Sequence, residues 1–160
     1  MSGRIKWLVF LLVIATAYGV AWHKAYVLSS DYYDFAQEQF QQGNYITAIK
    51  GKNKLEMRRS DTYLGGYQQV VETWEHMVLG LRPDFYYLAK QKVDESLSKL
   101  SSDELLLLIE TYVELDLRYV PEAALRLKNL ASAQGNQLLY SEMDEFLIEA
   151  FPEFSQEGDQ

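Results

Sequence analysis

Two histidines, a basic cluster and a surplus of carboxylates are the residues of this chain that could do chemistry. His76 stands four residues after Glu72 and next to Glu75, so one helical turn brings an imidazole and a carboxylate together, the beginning of a metal site. A tight site needs more ligands, and neither a cysteine nor a second nearby histidine supplies them, so His76 is expected as an exposed helix residue. His23 could ligate a haem iron or a chlorophyll magnesium, but a single histidine beside an apolar run reads first as an interfacial side chain. With 23 Asp and Glu, carboxylate pairs arise by chance, and no spacing marks one as acid and another as base. The chain has no P-loop, dinucleotide fingerprint, nucleophile elbow or metalloprotease helix. No enzymatic activity, cofactor or metal is therefore expected.

Lys50, Lys52, Lys54, Arg58 and Arg59 form the densest basic cluster, and a helix through them would put Lys50, Lys54 and Arg58 on one face. That face offers docking to an acidic segment of a partner protein or to anionic headgroups, the latter worth about 1 kcal/mol per basic residue. The plainer alternative is a solvated face that offsets an acidic remainder. Residues 1–60 carry eight Lys or Arg against four Asp or Glu, and residues 61–160 carry seven against nineteen, within a net charge of -8. An acidic second half argues against nucleic-acid binding and keeps that part of the chain away from an anionic bilayer. The adjacent pairs Tyr32-Tyr33 and Tyr86-Tyr87 cannot each be buried by one helix face, which suits contact surface.

Two kinds of element must position these groups. Arg4 and Lys6 precede an uncharged apolar run over residues 7–22, closed by His23 and Lys24. A helix rising about 1.5 Å per residue needs roughly 17 to 25 apolar residues to cross a bilayer, and residues 25–28 extend the run while Lys24 snorkels its amine to water. Residues 7–28 are thus expected as a transmembrane anchor, residues 1–6 as its short basic start, and Trp7, Tyr18 and Trp22 as interfacial side chains. A cleaved secretory signal, with an apolar core over 7–14 and Ala15-Thr16-Ala17 as its cleavage pattern, is the main alternative, and a buried helix of a soluble domain is a third. Arg4 and Lys6 outweigh Lys24, so the amino terminus is expected in the cytoplasm and the carboxyl-terminal domain outside it, in the periplasm of a bacterium. The absence of cysteine rules out disulfides.

Beyond the anchor, apolar residues recur at helical spacing and no window alternates as a strand would. Helices are predicted over 32–42 after a Ser29-Ser30-Asp31 cap, over 45–59, over 66–79 with Gly80 as the stop, and over 83–100 with Pro83 in the first turn. Ser101 and Glu104 form a capping-box pattern for a fifth helix through Tyr112, in which Leu106, Leu107 and Val113 add a second apolar side that points to a central position. Pro121 starts a sixth helix, broken at Gly135-Asn136, and a last one carries residues 139–151 before Pro152. Short turns force antiparallel neighbours, so residues 29–152 are expected as an all-α domain of helical hairpins and residues 153–160 as a disordered tail.

Phe35, Ala36, Gly43, Tyr45, Ala48 and Leu55 together resemble a tetratricopeptide repeat. In that pattern Ala36 lets the second helix approach at Ala48, Gly43 permits the tight turn, and Tyr45 fills the wedge between the helices. Gly65, Tyr67, Val70 and Trp74 repeat the turn and second helix after 22 residues, where the family's period is about 34. The resemblance implies an all-α stack of antiparallel hairpins behind a single transmembrane helix, with a surface that binds other proteins. The expected function is a membrane-anchored adaptor or assembly factor whose partners belong to a membrane complex. The alternatives are a structural accessory subunit of such a complex and a secreted helical carrier left by signal cleavage.

Overall fold

The computed structural model of the chain describes residues 3–52, 62–77 and 79–155. Among these residues the regular structure is entirely helical: α1 (Gly3–Gln41), α2 (Tyr45–Lys50), α3 (Tyr67–Glu75), α4 (Asp84–Lys99), α5 (Ser102–Tyr112), α6 (Val120–Ala133), α7 (Gln137–Ala150) and α8 (Pro152–Ser155).

The expected anchor and the expected first domain helix are one element. α1 runs unbroken for 39 residues, on the order of 58 Å at 1.5 Å per residue. The cap expected at Ser29-Ser30-Asp31 does not form, because Ser29 Oγ donates to the Ala25 carbonyl at 2.6 Å and accepts from Trp74 Nε1 at 2.8 Å. A hydroxyl satisfied inside the helix on one side and by a neighbouring element on the other does not compete with the helical backbone. Residues 5–21 are exposed along their whole length, whereas from Ser29 onward one side of α1 is buried against α2, α3 and α4.

The second and third helices end earlier than their sequences suggest. α2 stops at Lys50 because Gly51 turns the chain with φ 77 and brings it against residues 64–66, where Lys52 N–H donates to the Leu64 carbonyl at 2.9 Å. A Cβ on Gly51 would stand 2.6 Å from Gly66 N, and one on Gly66 2.5 Å from the Ile49 carbonyl, so both positions require glycine. α3 stops at Glu75 because Arg82 satisfies its terminal carbonyls, donating from Nε to Trp74 O at 2.9 Å and from Nη2 to Glu75 O at 2.8 Å. His76, Met77 and Leu79, expected within this helix, lie outside it.

The core begins between α1, α3 and α4, with Tyr67, Val70, Trp74, Ala89 and Val93 buried, and continues through Leu97, Leu105, Leu108, Leu127 and Leu147. α6 lies between α5 and α7 and also meets α4, which makes it, rather than α5, the central helix of the second half. Leu107 is accordingly exposed on the outer side of α5 instead of forming a second buried side. The Ser101–Glu104 capping box is formed, with Ser101 N–H donating to Glu104 Oε2 at 2.8 Å and Glu104 N–H to Ser101 Oγ at 3.3 Å. Residues 153–155, expected within the disordered tail, complete α8, where Phe154 is half-buried against the core.

Candidate functional site

Three places deserve description from the residues upward: the junction where α1 enters the domain, a buried lysine that ties the two halves together, and a cleft between the first turn and α5. At the junction, α1 presents Trp22, Tyr26, Ser29 and Tyr33 at intervals of three or four residues, one helix face, to the aromatic residues of α3 and α4. Trp22 meets Trp74 with ring centroids 5.7 Å apart and stacks on Tyr26 at 5.3 Å. Tyr26 and Tyr33 both reach Phe85, at 5.3 and 5.8 Å. Aromatic pairs of these stacked and edge-to-face kinds add about 0.5–1.5 kcal/mol each beyond the area they bury. Trp22 Nε1–H donates to the Leu81 carbonyl at 3.2 Å. Of the expected interfacial side chains, Trp7 is 68% exposed and Tyr18 42%, while Trp22 is turned onto the domain.

The expected docking face divides differently. Lys50 is only 4% exposed and turns inward, donating from Nζ to Arg118 O at 2.6 Å, Asp116 O at 3.1 Å and Asp116 Oδ2 at 3.3 Å, above the Tyr112 ring. It is therefore not available to a surface partner, and Lys54 and Arg58 lie outside the described residues. Burial pushes the Lys50 amine below the ordinary lysine range, with the Asp116 charge opposing. Burial also pushes the Asp116 carboxyl up, but the Gln68 amide, the Lys50 charge and the Arg118 N–H together hold it below the usual aspartate range. Arg118 makes a bidentate pair with Glu75 at 2.8 and 2.6 Å, and this places Glu75 below the usual glutamate range. The arrangement holds the segment between α5 and α6 against α2 and α3, including Tyr119, whose φ of 63 is left-handed. A non-glycine residue there costs of order 1 kcal/mol and persists because its neighbours leave it no alternative.

The residues that carry the repeat resemblance fall in the first hairpin. Ala36 and Ala48 are fully buried where α1 and α2 meet, Gly43 has φ 82, Phe35 is half-buried, and Tyr45 is half-buried against Phe40 at 5.4 Å. Leu55 lies outside the described residues. Beside this hairpin, Gly43, Tyr45, Thr47, Glu104, Leu107 and Tyr112 line an open cleft of about 390 Å³ between the α1–α2 turn and α5. Glu104 at its rim is held below the usual glutamate range, first by the Ser101 backbone N–H and then by its hydroxyl.

The two histidines lie on separate elements, His23 on α1 and His76 at the end of α3. His76 caps α3 with its side chain 89% exposed and its Nε2 3.0 Å from Glu75 Oε1, the Glu75 carboxylate is also paired with Arg118, and Glu72 accepts from Gln68 Nε2 at 2.7 Å. His23 is exposed on α1. Among the described residues no group of three or more His, Asp or Glu converges. The inward turn of Lys50, singled out from sequence as a docking residue, and its partners carried no local signal: Asp116 and Arg118 stand 66 and 68 positions away.

The fold and these sites define an all-helical protein that has, among the described residues, one amino-terminal helix long and apolar enough to cross a membrane, its mean hydropathy reaching 1.8. No protein-family model, curated protein or solved structure matches the chain.

Proposed function

We propose that this protein is a membrane-held, tetratricopeptide-like helical adaptor or assembly factor that binds other proteins at the membrane surface. The observation that carries the reading is the two-part character of α1: residues 5–21 are apolar and exposed, and the same helix continues into the domain core at Ser29 and Ala36. A free apolar helix of this length is costly in water and at home in lipid. By the excess of Arg4 and Lys6, the amino terminus is cytoplasmic and the domain lies outside the cytoplasm. Anchoring raises the local concentration of the domain toward membrane-bound partners without any new contact. The cleft lined by Tyr45, Leu107 and Tyr112 is where a partner segment would bind.

A second reading, an accessory subunit fixed within a larger membrane complex, draws support from the absence of a linker. Trp22 is both at the end of the apolar run and packed on Trp74, so the domain does not hang from a flexible arm. Affinity purification of the full chain from detergent-solubilised membranes, with mass spectrometry of its partners and its own amino terminus, tests both. An adaptor gives an intact amino terminus and recovers partners in variable ratio; a subunit co-migrates with a complex in fixed ratio. A mature chain starting at Tyr18 overturns the anchored readings in favour of a secreted protein.

A further inference from the structure

We propose that the turn carrying Leu79 and Leu81 enters the interfacial layer of the bilayer that α1 crosses, giving the domain a second contact with lipid that fixes its orientation. The inference rests on the membrane-spanning reading of α1 and adds to it. Leu79 is 70% and Leu81 84% exposed, large apolar side chains on either side of Gly80, whose φ is 116. The turn is held rather than hanging free. The Leu81 carbonyl accepts from Trp22 Nε1, and Arg82, the next residue, is bonded to the end of α3. A Cβ on Gly80 would stand 2.9 Å from Tyr18 Oη and 3.8 Å from Trp22 Cδ1, so the turn lies beside α1 at the level of those two residues.

That level decides the occupant. Trp22 and Ala25 pack on the domain, so residues 25–28 do not lengthen the free span, and the uncharged run over residues 7–22 rises only about 24 Å, against a hydrocarbon layer of about 30 Å. A span too short for the layer is accommodated by thinning the bilayer or by drawing flanking surface into it. The flanking surface at Tyr18 and Trp22 is the turn, and its outward side chains are leucines. Lys24, one residue beyond His23, has a stem long enough to bring its amine to water from there. With Tyr18 and Trp22 at the membrane boundary, Leu79 and Leu81 have lipid as their neighbour. Their burial at the headgroup level is the behaviour of a monotopic contact, with stabilisation proportional to the apolar area removed from water.

The chain contains no cysteine, so single cysteines report one position each. The experiment uses full-length protein in vesicles of phosphatidylethanolamine and phosphatidylglycerol, with an environment-sensitive fluorophore at Leu12→Cys, Leu81→Cys or Leu138→Cys. Leu12 lies in the apolar half of α1, and Leu138 is an exposed residue of α7. The expected result is blue-shifted emission and quenching by nitroxide lipids at positions 12 and 81, with position 138 quenched only by an aqueous agent. Lipid quenching at 12 with aqueous quenching at 81 overturns the turn insertion and leaves the anchor standing. Aqueous quenching at 12 overturns the anchor and the turn with it. Shielding of position 81 from both quenchers, the mark of a protein cover, also overturns the proposal.

Discussion

Trp74 and Ser29, 45 positions apart, share a 2.8 Å hydrogen bond in which the indole N–H donates to the hydroxyl, and neither side chain is exposed. The bond joins α3 to α1 where the helix passes from its exposed half into the core. The same hydroxyl donates to the Ala25 carbonyl, so Ser29 serves two helices at once.

Ser29→Ala leaves the Trp74 donor buried without a partner, which costs about 1–3 kcal/mol. In a Trp74→Phe background no donor remains, and the same substitution should cost far less. Urea denaturation of the full chain in detergent micelles, arranged as a double-mutant cycle, measures the difference. Equal costs in both backgrounds would mean the bond contributes nothing.

Glu75 and Arg118 make the stability of the fold depend on acid. The Arg118 guanidinium holds the Glu75 carboxyl below its ordinary value, with burial opposing. A folded-state value below the unfolded one, which is about 4.3 for glutamate, contributes stability in full above the unfolded value and loses it as pH falls through the folded one. Glu75→Gln should lower stability at pH 7 by about 1.5–3 kcal/mol and flatten the decline between neutral and acid pH. Denaturation curves at pH 7 and along the acid limb check both parts.

Glu122 acts in the opposite sense. Burial raises its carboxyl above the ordinary glutamate range, and its Oε2 is buried without a hydrogen-bond partner among the described residues. Because the folded state holds this proton more tightly than the unfolded state, stability falls as pH rises from the unfolded value through the folded one. Glu122→Gln removes that dependence, so its stability relative to the native chain should improve as pH rises through the window. A constant difference across the window would contradict the assignment.

Lys50 separates folding from docking. Lys50→Met leaves two backbone carbonyls and the Asp116 carboxylate without their shared donor, a loss on the order of 2 kcal/mol or more. Lys50→Glu should disrupt the fold, read as a red shift of the tryptophan emission, before any partner is tested. Charge reversal at Lys54 and Arg58 with Lys50 retained is therefore the variant that tests partner docking. Native-like emission from Lys50→Glu would show that the clasp is dispensable.

What could be read from sequence divides along the range of the interactions involved. The Ser101–Glu104 box, the Pro121 start of α6 and the Gly135-Asn136 break before α7 are set within one turn of chain, and each lies where its local chemistry puts it. The fusion of the apolar run and the domain into α1 depends on Trp74, the end of α2 on Gly66, and the inward turn of Lys50 on Asp116 and Arg118. Those partners become neighbours only when the chain is folded, and neither periodicity nor capping chemistry carries their signal. Lys50 shows the limit plainly: a lysine in a run of basic residues reads as surface until a carbonyl 68 positions away accepts from it.

The apolar half of α1 gives the most direct check on the proposed location. Leu11 and Leu12 are exposed and stand outside the core, so replacing them leaves the packing around Ser29 and Trp74 untouched. An arginine near the middle of a span costs about 3 kcal/mol in membrane insertion. The double substitution Leu11→Arg with Leu12→Arg should move the chain from the carbonate-resistant membrane pellet to the soluble fraction while its cooperative urea transition is retained. Retention in the pellet would mean that some surface other than α1 holds the protein at the membrane. Loss of the cooperative transition would mean that the exposed half of α1 supports the fold as well as the location.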